Sequence, residues 1–138
     1  TEGRLMLTGA FGLGGLSAAY TGNLDATNNA LAPGFYHFSA ATVAGIPPKN
    51  FGWQHLSHRR RAPGGGEFQT IIQESTNDAF IRSRAGGSWT DWSMFYGQKN
   101  VLDNVEMIAG LPTGALIERG SNANGTYLRY ADGTQICW

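Results

Sequence analysis

The chain has 138 residues, enough for one domain or two small modules, and its 10 basic residues balance 10 acidic ones. This neutrality excludes a nucleic-acid partner held by bulk electrostatic attraction, and the single cysteine, Cys137, excludes an intrachain disulfide. Charged residues make up only 14%, and there are 20 glycines. Low charge and abundant glycine favour a β-rich protein with many turns, and one that buries surface against copies of itself.

The first 23 residues are apolar but irregular. Large apolar side chains recur among glycines without a helical or strand period: Leu5, Met6, Leu7, Phe11, Leu13 and Leu16. Such a segment cannot form a core alone, so we expect it to pack against the same segment of other chains. The uncharged stretch 5–24 is interrupted too often to be a transmembrane helix, and it lacks the order of a signal peptide. Because the chain starts with Thr1 and ends at Trp138, directly after a strand-like run, we expect a piece of a longer polypeptide.

The next segment leads from a possible helical turn into a strand. Residues 24–32 are compatible with one or two helical turns, which Pro33 and Gly34 would end. Residues 34–45 begin as a strand, and the two prolines within 46–50 predict a stiff, extended connection.

Four short strands are predicted between residues 51 and 96. They are FGWQHLSHR (51–59), EFQTIIQES (67–75), AFIRSRA (79–85) and WTDWSMFY (89–96), separated by RRAPGGG, TND and GGS. In the first strand Phe51, Trp53 and His55 share one face, with Gln54 and Leu56 on the other. In the third, Ile81 and Ser83 oppose Phe80, Arg82 and Arg84. Closely spaced strands with short joins predict an antiparallel meander.

One interpretation of the linker, residues 97–119, is a short helix. The spacing of Val101, Leu102, Val105 and Ile108 is compatible with a short helix ending at Gly110. After this linker, 126–131 and 134–138 read as two strands joined by a hairpin turn at Asp132 and Gly133. In this strand-like context we expect Cys137 to be a buried, reduced side chain.

The run QTIIQES…FIRSRAGGSWTDWSMFY resembles the knob module of phage tail fibres and R-type pyocin fibres, whose mark is R-x-R, a glycine-rich turn and then W-[ST]-x-W. GRLMLTGAFGLGG (3–15) is similar to the joint that leads into such a knob. LDATNNALAPGFYHF (24–38) is similar to the start of the knob. LPTGALIERGSNANGTYLRYADGTQIC (111–137) is similar to the opening of a tail-fibre tip domain.

The resemblance implies a small antiparallel β-meander knob with little helix, extended shaft and linker segments, and an intertwined homotrimer. It divides the chain into a shaft end (1–23), a knob (24–98), a linker (99–119) that tends to be extended, and an incomplete tip domain (120–138).

Several aromatic side chains with polar tips cluster in the predicted knob: Trp53, His55, Trp89, Trp92 and Tyr96. Flat, partly apolar rings stack on sugar faces, but they also build cores, and we expect at least one of Trp89 and Trp92 to be core. His55 and His58 would face opposite sides of a strand, which makes them a poor single-site metal pair, and no metal site is predicted.

Three adjacent arginines open the glycine-rich loop of residues 59–66. Arg59, Arg60 and Arg61 must point in several directions, so at least one is exposed. They are either a solvated loop or a contact to phosphate or acidic sugar, which arginine binds with two parallel hydrogen bonds. The predicted receptor-binding residues are therefore His58, Arg59, Arg60 and Arg61, together with Trp53.

Motifs for nucleophilic catalysis and for nucleotide binding are missing, and no cofactor is expected. Glu67 and Glu74 lie on opposite faces of one predicted strand, roughly 23 Å apart at about 3.3 Å per residue. A glycosidase pair wants roughly 5–10 Å. No catalytic residue is therefore predicted, although other carboxylate pairs stay open.

The resemblance implies a tail-fibre protein of a bacteriophage or pyocin, and together with the exposed aromatic and arginine candidates it predicts binding of surface glycan or lipopolysaccharide without cleavage. Alternatives are a tailspike-type depolymerase and a purely structural trimeric tail or baseplate module. The expected partners are two further copies of the chain, the bacterial glycan and the rest of the tail or baseplate. The expected location is the virion or pyocin fibre, which is assembled in the bacterial cytoplasm and functions outside the cell.

Overall fold

A computed structural model describes residues 16–26, 31–49, 52–62 and 65–138. The fold is mainly β, as predicted, and most strands pair in antiparallel fashion. Within these ranges the one helical element is the single 3-10 turn Ala40–Thr42. No helix there is long and apolar enough to cross a membrane. Most of the predicted shaft segment, part of the predicted helical turns at 24–32, and Phe51 lie outside the described residues.

The chain forms two compact units, Thr1–Ser93 and Met94–Trp138. The finer division predicted at residues 23, 98 and 119 stays a prediction. The strands up to the end of the first unit are β1 (Ala18–Ala19), β2 (Gly22–Asn23), β3 (Gly34–Ser39), β4 (Val43–Ala44), β5 (Trp53–Arg60), β6 (Glu67–Gln73), β7 (Ala79–Ala85), β8 (Ser88–Trp89) and β9 (Ser93–Met94). The remaining strands are β10 (Met107–Ile108), β11 (Leu111–Pro112), β12 (Ile117–Asn122), β13 (Gly125–Tyr130) and β14 (Gln135–Cys137).

The main sheet has the order β1-β3-β5-β6-β7-β8, and β2 and β4 form a small separate pair. Strand β1 joins β3 in parallel, whereas β3, β5, β6 and β7 pair antiparallel with one another. This confirms the first three strands of the meander predicted for 51–96. The predicted alternation is confirmed as well. Gln54 and Leu56 are buried while Trp53 and His55 are exposed, because successive side chains of a strand point to opposite faces.

The core lies on one face of this sheet. It consists of five buried side chains, namely Leu24, Phe38, Val43, Leu56 and Ile71. Half-buried side chains that include Tyr36, Ile46 and Trp92 pack around it. The core therefore joins the meander to segments that precede it in the chain.

The prediction of one continuous strand over 89–96 is wrong. The segment is divided into β8 and β9, with residues 90–92 irregular between them. Two hydrogen bonds join Thr90 to Ser83. The backbone N–H of Thr90 donates to the Ser83 carbonyl, and the backbone N–H of Ser83 donates to the Thr90 hydroxyl oxygen. The indole of Trp92 donates to the carbonyl of Gly45 at 2.9 Å. These contacts turn Trp92 toward the core side of the sheet, and a straight strand cannot satisfy them.

The short helix considered for 101–111 is also wrong. The segment contains the tight hairpin of β10 and β11, whose turn residues Ala109 and Gly110 have φ of 50° and 82°. Val105 is buried, and its N–H donates to the carboxylate of Glu118 at 3.0 Å. The N–H of Val105 thus finds its acceptor 13 residues away, whereas in a helix it would have bonded a carbonyl four residues earlier.

Strands β12, β13 and β14 form a three-stranded antiparallel sheet in the C-terminal unit. The hairpin turn predicted at Asp132 and Gly133 is confirmed: the Asp132 carboxylate accepts from the N–H of Thr134 at 2.8 Å, and Gly133 has φ of 91°. The expectation that Cys137 is buried is wrong. It lies exposed in β14, which pairs only with β13 within the described part of the chain.

Candidate functional site

A buried guanidinium is the centre of the N-terminal unit. Arg82 is only 5% exposed, and it stacks between the rings of Trp89 and Trp92, with distances of 4.5 Å and 4.3 Å to the ring centroids. It donates to the carbonyl of Leu24 at 2.7 Å and pairs with Asp25 at 2.5 Å. Burial lowers the pKa of Arg82, and the Asp25 carboxylate opposes that shift. The guanidinium therefore joins the meander, both tryptophans and the chain near residue 24.

A second ionic cluster lies where β5 ends and β6 begins. Glu67 is buried, and one of its oxygens lies 2.8 Å from Nη1 of Arg84 and 3.4 Å from Nε of Arg60. The three residues are cross-strand neighbours, since Arg60, Glu67 and Arg84 occupy one row across β5, β6 and β7. Arg60 also donates to the carbonyl of Leu31 at 2.7 Å. This cluster is structural, because its carboxylate has arginine partners on both sides.

His58 lies between these two clusters and is 1% exposed. Gln69 receives a hydrogen bond from Nε of Arg82 on its Oε1, so its amide nitrogen faces Nδ1 of His58 at 3.3 Å. An amide NH₂ only donates, hence Nδ1 is the unprotonated nitrogen and Nε2–H faces Glu67 at 3.4 Å. Protonation of Nδ1 would break the bond to Gln69. Burial, with a contribution from Arg60 and Arg82, lowers the pKa of His58 even though Glu67 opposes the shift.

The N-terminal unit is therefore expected to lose stability in mildly acidic solution. The folded pKa of His58 lies below its unfolded value of about 6.5, so the unfolded chain takes up the proton first as the pH falls. The contribution of neutral His58 to the free energy of unfolding is therefore fully present above about pH 6.5 and declines as the pH drops toward 5. Urea unfolding followed by tryptophan fluorescence at pH 7.5, 6.5, 5.5 and 5.0 measures it.

His58→Gln should flatten this pH dependence, whereas the matched change His55→Gln, on the exposed face of the same strand, should leave it intact. An equal pH dependence in the parent and in His58→Gln would show that another group is responsible.

The structure separates the residues predicted to contact a receptor. The prediction that Arg60 lies in the loop is wrong, because β5 continues through Arg60 and its side chain is held by Glu67 and Leu31. His58, predicted beside that loop as a receptor contact, is buried in β5. Arg59 and Arg61 are exposed. Removing all three arginines of residues 59–61 would therefore also strip a partner from buried Glu67.

Trp53 lies on the face of the main sheet opposite the core. We call this the open face and define it by the side chains of Phe35, His37, Trp53, His55, Ser57, Thr70 and Ile72. Trp53 is 55% exposed, and its ring lies 6.0 Å from that of His37. His37, His55 and Ile72 form one row across β3, β5 and β6. Beside this row is a shallow hollow of about 380 Å³ lined partly by Phe35, Ser57 and Thr70. An exposed indole next to imidazole and hydroxyl groups offers both an apolar platform and hydrogen-bonding groups.

The other aromatic side chains singled out from the sequence are structural. Trp89 and Trp92 enclose Arg82, and the hydroxyl of Tyr96 lies 3.3 Å from the carbonyls of Pro112 and Gly114. The carboxylate of Glu67 is engaged by arginine. Across the described ranges, no group of three or more His, Cys, Asp or Glu side chains is arranged to hold a metal ion.

Sequence reasoning missed the roles of Arg82 and Arg84. The R-x-R step was noted as a motif, and the alternation placed both arginines on the face of Phe80. That face is the buried one, so the pattern already contained the signal that both arginines need partners. No protein-family model, curated protein or solved structure matches this chain.

Proposed function

We propose that this chain is part of the tail fibre of a bacteriophage or of a related pyocin, and that it attaches the particle to a bacterium by binding surface glycan or lipopolysaccharide without cleaving it. The observation that carries the proposal is the open face of the main sheet, with Trp53 exposed beside His37 and His55. An indole ring covers the apolar side of a pyranose, while neighbouring polar groups accept and donate hydrogen bonds to its hydroxyls. Such mixed surfaces are typical of small-ligand sites.

Attachment by this surface requires several copies. A shallow platform has few anchoring groups, and each site is therefore weak. Linking sites on one particle raises the effective concentration for each further contact, so weak sites combine into firm adsorption. We propose a homotrimer, supported by the apolar, irregular sequence of residues 1–23 and by the low charged fraction of 14%. The fibre joins the rest of the tail or baseplate and functions outside the bacterial cell.

Replacing Trp53 by alanine is expected to lower glycan binding about tenfold or more per site, which corresponds to about 1.4 kcal/mol. The cause is loss of the stacking platform. Binding is measured on an array of bacterial lipopolysaccharides and capsular polysaccharides, with light scattering on the same samples to give the mass. The parent should have about three times the chain mass of 14.8 kDa.

Trp138→Ala is the matched control, because it removes an indole of similar exposure, 63% against 55%, from the other unit. It should bind like the parent. A Trp53→Ala chain that is trimeric and binds like the parent would overturn the assignment of the open face to the receptor.

The open face also supports a second candidate, a purely structural trimeric module. Phe35, Phe68 and Ile72 are apolar and at least one third exposed on the main sheet, and sheet faces of this kind are commonly covered by another subunit. The same experiment separates the two functions. A Trp53→Ala chain that falls to the monomer mass, while Trp138→Ala stays trimeric, would favour the structural module.

A further inference from the structure

A notch lies at the end of the main sheet, away from Trp53. It is bordered by Arg61, Gly65 and Gly66, which follow β5 in the chain, and by the two-residue turn between β7 and β8, and it encloses about 550 Å³. Six residues carry the argument: Arg61, Gly65, Gly66, Arg84, Gly86 and Gly87. Two of them are cationic, four have no side chain, and none is acidic.

The glycines open the backbone of this notch. Gly86 and Gly87 have φ of 68° and 100°, a conformation that side chains disfavour, and they connect the paired residues Ala85 and Ser88. A Cβ atom at either position would meet nothing within 4 Å. The turn therefore leaves free space beside its peptide groups, and backbone N–H groups next to free space can donate to an anion.

The charge of this end of the sheet is unbalanced. Arg60 and Arg84 share one carboxylate, Glu67, and Arg61 lies next to Arg60 in the chain, so three positive charges stand against one negative charge. Arg84 lines the notch and uses Nη1 for Glu67, while its Nε is buried. Arg61 is exposed at the border of the notch. Two guanidinium groups thus border the notch beside the open glycine backbone, and guanidinium groups bind carboxylate and phosphate oxyanions.

We propose that this notch binds the oxyanion of an acidic glycan, either a phosphate or a carboxylate substituent, through Arg61, Arg84 and the Gly86–Gly87 turn. The inference rests on the proposed function and adds to it a second contact of different chemistry. Trp53 would contact the sugar ring, whereas the notch selects glycans that carry negative charge.

The test is a titration of the ¹⁵N-labelled chain followed by amide chemical shifts. The probes are inorganic phosphate, glucose 1-phosphate, glucuronate and uncharged glucose. Saturating shifts at the amides of Gly65, Gly66, Gly86 and Gly87 with at least one anion, and none with glucose, are expected. The tighter of glucose 1-phosphate and glucuronate identifies the oxyanion that the notch prefers.

Arg61→Gln should weaken the affinity of the chain for the anionic probe about tenfold, since hydrogen bonds to charged groups contribute about 1.5–3 kcal/mol. The matched control is Arg59→Gln, which removes the same charge two residues earlier in the chain, from an exposed position that does not line the notch. It should stay within about twofold of the parent. Equal weakening by both variants, or the lack of saturating glycine shifts with every anion, overturns the proposal.

Failure of the notch and failure of the proposed function give different results. A parent chain that binds the anionic probes in the notch but no bacterial glycan on the array would refute attachment and leave the oxyanion site standing. A parent chain that binds the array without any glycine shift from the anionic probes would refute the notch and leave attachment standing.

Discussion

Arg82→Ala is expected to lower the free energy of unfolding of the N-terminal unit by about 2–6 kcal/mol, because it leaves two buried acceptors without a donor at about 1–3 kcal/mol each. The change removes the donors that satisfy the Leu24 carbonyl and Oε1 of Gln69, and a buried group left without a partner costs about 1–3 kcal/mol. It also removes the cation from between Trp89 and Trp92. Because small domains have only about 5–15 kcal/mol of stability, much of the unit should unfold. Urea denaturation with tryptophan fluorescence measures the loss.

Two further variants make this result specific. Arg82→Lys retains the charge but loses the planar stack and the fork of donors, so it should lie between the parent and alanine. Arg129→Ala removes an exposed arginine from the C-terminal unit and should leave the unfolding curve unchanged. If Arg82→Ala stayed within about 1 kcal/mol of the parent, Arg82 would not be the centre of the unit.

Trp92→Ala is expected to destabilise the same unit by about 3–5 kcal/mol, the usual cost of truncating a packed tryptophan. The ring packs against the core cluster, stacks on Arg82 and donates to the carbonyl of Gly45. Trp92→Phe keeps an aromatic ring beside Arg82 and loses the indole hydrogen bond, which contributes about 0.5–1.5 kcal/mol. Thermal and urea unfolding should therefore rank the parent first, phenylalanine second and alanine last.

Trp53→Ala serves as the matched control, because it removes the same side chain from the exposed face of the same sheet and should cost less than about 1 kcal/mol. Equal melting of Trp92→Ala and the parent would show that Trp92 contributes no anchoring contact. It would then join Trp53 among the aromatic side chains available to a ligand.

The position of His58 shows how far a local pattern reaches. The period-two alternation that places Gln54 and Leu56 on one face of β5 also places His58 there, and all three are buried. Sequence interpretation ended the strand at Arg59, because a proline and three glycines follow in residues 60–66. The strand in fact continues, since Glu67 and Leu31 provide partners for Arg60 that lie 7 and 29 residues away.

The sequence by itself determined the β class, the three long strands of the meander, the face that each of their side chains occupies and the Asp132–Gly133 turn. These features depend on backbone preferences and on the alternation of neighbouring side chains, which are local. The tertiary structure decided which polar groups are buried, where the segment 89–96 breaks, and that 101–111 forms a hairpin rather than a helix. Those outcomes depend on partners remote in the chain, such as Asp25 for Arg82 and Glu118 for Val105, whose hydrogen bonds outweigh local propensity.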